Sequence, residues 1–92
     1  MEKIDDEFLI QRLKGHDSLI KTLSFSPNAK YLVSGAFDGN IVIWEISNGN
    51  QIHKFKAHDS AVNAIVFTPD GKYIVSGSSD HTVKIWTFPS GK

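Results

Sequence analysis

Residues Gly15 to Asn50, "GHDSLIKTLSFSPNAKYLVSGAFDGNIVIWEISNGN", align without a gap on Ala57 to Lys92, "AHDSAVNAIVFTPDGKYIVSGSSDHTVKIWTFPSGK", at a constant offset of 42. His16 meets His58, Phe25 meets Phe67, Pro27 meets Pro69, Ser34 meets Ser76, Asp38 meets Asp80 and Trp44 meets Trp86. A period of this length marks one supersecondary unit used twice, each copy burying its apolar surface on a neighbour. Any role given to one residue must therefore also account for its twin.

Within each unit the pattern is that of short strands and tight turns. "LIKTLSF" and "AVNAIVF" have strand composition, and their apolar spacing of three then two (Ile20, Leu23, Phe25; Val62, Ile65, Phe67) predicts a bulge in each. "SPNAK" and "TPDGK" supply turn residues, and the β-branched and aromatic "YLVS" and "YIVS" follow. "FDGN" and "SDHT" lead into "IVIWEI" and "VKIWTF", Asp-Gly in the first copy being a strong hairpin signal. "SNGN" then turns the chain into "QIHKFK", and an equivalent segment, "FLIQRLK", precedes the first copy, Ile10 and Lys14 matching Ile52 and Lys56.

The composition excludes several classes of function. Ten Lys and Arg balance ten Asp and Glu, so net charge draws the chain neither to nucleic acid nor to an acidic membrane. The acidic start, "MEKIDDE", reads as a solvated lead-in. Without cysteine there is no disulfide, thiolate nucleophile or Cys-based zinc site. No apolar run approaches a membrane span and no secretory signal opens the chain, which predicts a soluble protein of the cytoplasm, or alternatively the nucleus. His53 and His81 lack partners at ligand spacing, and the seven glycines fall at turns and strand ends rather than in a phosphate loop. No metal and no cofactor is expected.

The histidine, serine and aspartate could be taken for a hydrolase triad. Against this, the set occurs twice and carries a tryptophan each time, and no motif announces an oxyanion hole. Duplication favours a structural role, with the Ser-His-Asp hydrolase kept as a remote alternative.

A unit of about 40 to 45 residues built from four strands is the mark of a propeller blade. From about residue 8 to 92 the chain resembles the WD40-repeat family, through "GH" at 15–16, "SPNAKYLVSG" at 26–35, "FD" at 37–38 and "IVIW" at 41–44, echoed by "AH", "TPDGKYIVSG", "SD" and "VKIW". It departs from the family pattern at Glu45 and Thr87, which stand where Asp follows the tryptophan, and at Ala57, which replaces the glycine before His58. The resemblance implies an all-β chain of two four-stranded antiparallel blades in d-abc-d-abc phase. Residues 1–7 are then a lead-in, 8–14 an orphan outer d strand, 15–56 the first repeat and 57–92 a second repeat lacking its own d strand.

The resemblance also implies that His16, Ser34, Asp38 and Trp44, and again His58, Ser76, Asp80 and Trp86, form buried hydrogen-bond tetrads. The residue types suit such a network: indole only donates, carboxylate only accepts, and hydroxyl and imidazole do both. By the same resemblance the chain is a non-enzymatic scaffold whose partners are other proteins or peptides. Its exposed contact positions map to Leu19, Lys21 and Phe37 in the first repeat and Ala61, Asn63 and Ser79 in the second. Phe37 is either a binding hot spot or packing against a neighbouring loop.

Two blades bury only one of their interfaces, whereas closed propellers have 4 to 8 blades. Further blades are therefore expected, either in cis within a longer propeller or from copies of the same chain. In the second case the d strand at 8–14 would complete a neighbour, giving three chains for six blades or four for eight.

Overall fold

The computed structural model describes residues 8–88. Its strands are β1 (Ile20–Phe25), β2 (Tyr31–Ala36), β3 (Asn40–Glu45), β4 (Gln51–Lys56), β5 (Val62–Phe67), β6 (Tyr73–Ser78) and β7 (Val83–Thr87). They form two antiparallel meanders, β1-β2-β3-β4 and β5-β6-β7. The expected lead-in at 1–7 and the last residues, 89–92, lie outside the described residues.

Both expected bulges are present, at equivalent places. The β1–β2 register shifts between Ile20 and Thr22, and the β5–β6 register between Val62 and Ala64. The inserted residue breaks the alternation once, so residues spaced three and then two apart return to one face.

The turns share geometry where they do not share sequence. In the turn between the second and third strands of each sheet, β2–β3 and β6–β7, the left-handed position is Gly39 (φ 90°) in the first sheet and His81 (φ 76°) in the second. In the turn before it, β1–β2 and β5–β6, it is Ala29 (φ 62°) and then Gly71 (φ 75°). Glycine adopts this conformation without steric cost and an L-residue does not, so each repeat carries one strained turn.

Residues opposite one another on paired strands share a face. One face of the first sheet therefore carries Val33, Ile41, Ile43 and Phe55, and it packs on Val62, Ile65, Phe67, Ile74 and Trp86 of the second. Phe55 and Trp86 meet edge to face with ring centroids 4.9 Å apart. At the innermost strands the sheets approach closely: a Cβ on Gly35 would lie 2.6 Å from Val62 Cγ1. The main hydrophobic cluster is thus this sheet-to-sheet interface, while Val42 and Trp44 are buried on the other face of the first sheet.

The segment 8–14, expected as a strand, carries none. In its own sheet the outer edge of β3, where such a strand would pair, is already taken by β4. The segment instead folds against its own sheet, where the Gln11 and Leu13 side chains lie beside Gly49 and Gly15 rests against Trp44 and Gln51.

Candidate functional site

In the second repeat the four residues singled out from the sequence come together. Trp86 Nε1 donates to Ser76 Oγ at 3.0 Å, Ser76 Oγ lies 2.8 Å from His58 Nε2, and His58 Nδ1 lies 2.9 Å from Asp80 Oδ2. The carboxylate can only accept, so Nδ1 carries the proton. In that tautomer Nε2 accepts from the serine hydroxyl, whose oxygen accepts the indole N–H. The proton order runs from tryptophan through serine to histidine at one end, and from histidine to aspartate at the other.

Asp80 is held by more than the histidine. Thr82 donates to its Oδ1 through both the hydroxyl, at 2.6 Å, and the backbone amide, at 2.9 Å, while the Asp59 amide donates to Oδ2. These donors, the Thr82 hydroxyl foremost, hold its carboxyl well below the usual carboxylate range. Sequence reasoning missed Asp59 and Thr82; the signal available was "SDHT", an aspartate two residues before a hydroxyl.

The first repeat is not a copy of this arrangement. His16 Nε2 lies 2.5 Å from Ser34 Oγ, and Trp44 Nε1 donates to Ser34 Oγ at 2.9 Å. Asp38, however, does not join the set. Both its oxygens are taken by Asn40, the amide donating to Oδ1 and the side-chain Nδ2 to Oδ2, each at 3.1 Å. His16 Nδ1 is left buried without a hydrogen-bond partner. The expectation of two tetrads is corrected to one tetrad and one triad, because Asn40 presents two donors where Thr82 binds only one oxygen and leaves the other to His58. Burial lowers the pKa of His16, with Lys54 adding to the effect and the Asp38 and Asp17 charges opposing it.

Ser76, His58 and Asp80 have the connectivity of a catalytic triad, with histidine bridging hydroxyl and carboxylate. Access and the added indole donor distinguish them from one. Ser76 and Ser34 are both buried, and each hydroxyl oxygen already accepts an indole N–H. A nucleophile needs its oxygen free to meet substrate, and these are committed to tying β2 and β3, or β6 and β7, to the loop before β1 or β5. Among the described residues, no three His, Asp or Glu side chains gather where they could hold a metal ion.

The candidate contact residues lie along one rim of the two sheets. The Phe37 amide donates to the Leu19 carbonyl at 2.7 Å, which sets these two side by side, 57% and 73% exposed. Lys21 is exposed nearby in sequence. In the second repeat Asn63 Nδ2 donates to Ser79 Oγ at 2.8 Å, and both residues are exposed. Ala61 is the exception: it is buried, so its expected role as an exposed contact is withdrawn. The first repeat's equivalent, Leu19, is exposed because no further sheet packs beside it.

Comparison with known proteins places this geometry. The family described as "WD domain, G-beta repeat" matches residues 7–45 and 49–87. The ribosome biogenesis protein ERB1 of Debaryomyces hansenii is 46% identical over 40 residues, covering 44% of this chain and 5% of that protein. The nuclear distribution protein nudF of Aspergillus niger is 43% identical over 44 residues, covering 48% of this chain and 10% of that protein. Among solved structures, the computationally designed Ika4 protein superposes with a TM-score of 0.77 at 40% identity, over 88% of this chain and 48% of that one. U3-55K superposes with a TM-score of 0.79 at 30% identity, over 82% of this chain and 25% of that one. The chain thus spans a tenth or less of these curated relatives, and from a quarter to about half of these structures.

Proposed function

The chain belongs to the WD40-repeat family, and from that premise we propose that it is a non-enzymatic scaffold: two blades of a larger propeller whose rim binds other proteins or peptides. One observation carries the reading. Leu19 and Phe37 form an exposed apolar pair, held together by a backbone hydrogen bond, on a turn whose geometry does not require an aromatic residue. Exposed aromatics at such places are frequent anchors of protein interfaces. The relatives are named for different roles, ribosome biogenesis and nuclear distribution, which fits a platform whose blades are shared and whose partners are set by rim residues.

The test is quantitative affinity capture with the chain immobilised, comparing wild type with Phe37→Ala and Lys21→Ala. Both substituted residues are exposed, so melting curves should be unchanged. Proteins retained by wild type and lost with Phe37→Ala support the scaffold reading. An identical set from all three chains overturns it. A generic ester should be hydrolysed no faster than in buffer, and a rate above buffer that Ser76→Ala removes would revive the hydrolase reading.

A further inference from the structure

The two blades of this chain expose the two halves of the interface they bury between them. In the first blade Ile43 is 4% exposed, covered by the second blade; its twin Ile85, on the same face one repeat later, is 69% exposed. Val83 repeats the difference against Ile41. On the opposite face the order reverses. Ile65 is buried and Phe67 half-buried against the first blade, whereas their twins Leu23 and Phe25 are exposed, Phe25 to 64%.

The close approach at the inner strands shows the same asymmetry. Val62 fills the space over Gly35, while the space over Gly77, the twin of Gly35, is empty to 4 Å. The twin of Val62 is Ile20, which is exposed on the opposite face. The free faces therefore present the shapes that already fit each other inside the chain: an isoleucine for the bare glycine, and a leucine and phenylalanine for the isoleucine and valine.

We propose that the exposed face of the second blade, at Gly77, Val83 and Ile85, docks on the exposed face of the first blade, at Ile20, Leu23 and Phe25, of a second copy of this chain. The contact continues the interface within the chain at the same offset of 42 residues. It is head to tail, so each copy added leaves one face of either kind free until a ring closes. It also brings the second copy's residues 8–14 to the open edge of β7. That segment precedes β1 as β4 precedes β5, and β4 is the strand that pairs on β3.

One corner is not a replica. A Cβ on Gly39 would run into the carbonyl oxygen of His58 where the next blade's loop arrives, and the twin of Gly39 is His81. The second copy's loop must stand further out at that corner.

This inference goes beyond the rim reading, and its test does not use the rim. The mass of the chain is measured by light scattering behind a sizing column for wild type, Ile85→Asp, Phe25→Asp and an equimolar mixture of the two variants. Both substitutions are at exposed positions, and circular dichroism checks that each variant keeps its strands. Wild type is expected to form a discrete species larger than a dimer and each variant alone a monomer. The mixture should stop at a heterodimer, because the intact second-blade face of Phe25→Asp meets the intact first-blade face of Ile85→Asp and the other two faces are blocked. A monomeric wild-type chain overturns the proposal in favour of blades supplied in cis by further repeats or by a different chain. So does a wild-type mass in either variant, or a mixture that stays monomeric. None of these outcomes bears on capture through Phe37.

Discussion

His58 Nδ1 lies 2.9 Å from Asp80 Oδ2, whereas Nδ1 of its twin, His16, has no hydrogen-bond partner because Asn40 holds both oxygens of Asp38. The same residue types at the same spacing thus form a closed network once and an open one once. A buried polar network is stabilising when every member is satisfied and costly when one is not.

The two repeats should accordingly respond differently to the same substitution. His58→Ala leaves the buried Ser76 hydroxyl without its acceptor and removes one donor from Asp80, and is expected to cost about 1–3 kcal/mol, the penalty for leaving a buried polar group unpaired. His16→Ala removes an imidazole already unsatisfied at one nitrogen and should cost less. Urea denaturation of the two variants measures the difference; equal losses would contradict the asymmetry.

Acid should destabilise the fold in two steps. Burial holds the folded pKa of His16 below its ordinary 6.5, so as pH falls through 6.5 the unfolded chain takes up the proton first and stability declines. Hydrogen bonds hold Asp80 below its ordinary 3.8, and those from Thr68 and Lys72 do the same for Asp70; their contribution is present above pH 3.8 and is lost as pH falls below it. Denaturant midpoints followed from pH 8 to pH 2 should show both declines. His16→Asn should remove the first, and Asp80→Asn should shrink the second to the part left by Asp70.

Gly35→Ala and Gly77→Ala place the same methyl group on twin residues. At Gly35 it meets Val62 at 2.6 Å, and a β-branched side chain in a packed interface has little room to move. A loss of about 1–3 kcal/mol is expected there. At Gly77 nothing lies within 4 Å, so in the Ile85→Asp background, which blocks docking, the change should stay within about 0.5 kcal/mol. Thermal melts of both variants decide this.

Ala29→Gly and His81→Gly each place glycine at the left-handed turn position that its twin already occupies with glycine. Relief of the αL penalty is about 1–2 kcal/mol and the added unfolded-state freedom of glycine offsets about 0.5–1 kcal/mol of it. Each variant should melt slightly above wild type. His81→Gly should in addition sharpen association between copies, read as a shift of the sizing profile to lower concentration, because it clears the corner where the next loop arrives.

Much of this molecule was legible in its sequence, and the reason is local. Strand positions, turns and both bulges follow from alternation, from β-branched runs and from Gly, Pro and Asp, which act over a few residues and are written twice. The second tetrad was legible because its four members need only the hairpin and its preceding loop to meet. What only the tertiary structure decided is everything that depends on a neighbour. Asp38 turned to Asn40 because two side-chain geometries competed for one carboxylate, and composition does not rank them. Residues 8–14 carry no strand because pairing requires an open edge supplied by another blade. Ala61 is buried and Leu19 exposed, Gly35 filled and Gly77 bare, Ile43 covered and Ile85 open, at twin positions in a sequence that repeats. The repeat determined what each blade can present; burial belongs to the pair of surfaces in contact, and only one sheet-to-sheet pair exists within the described residues.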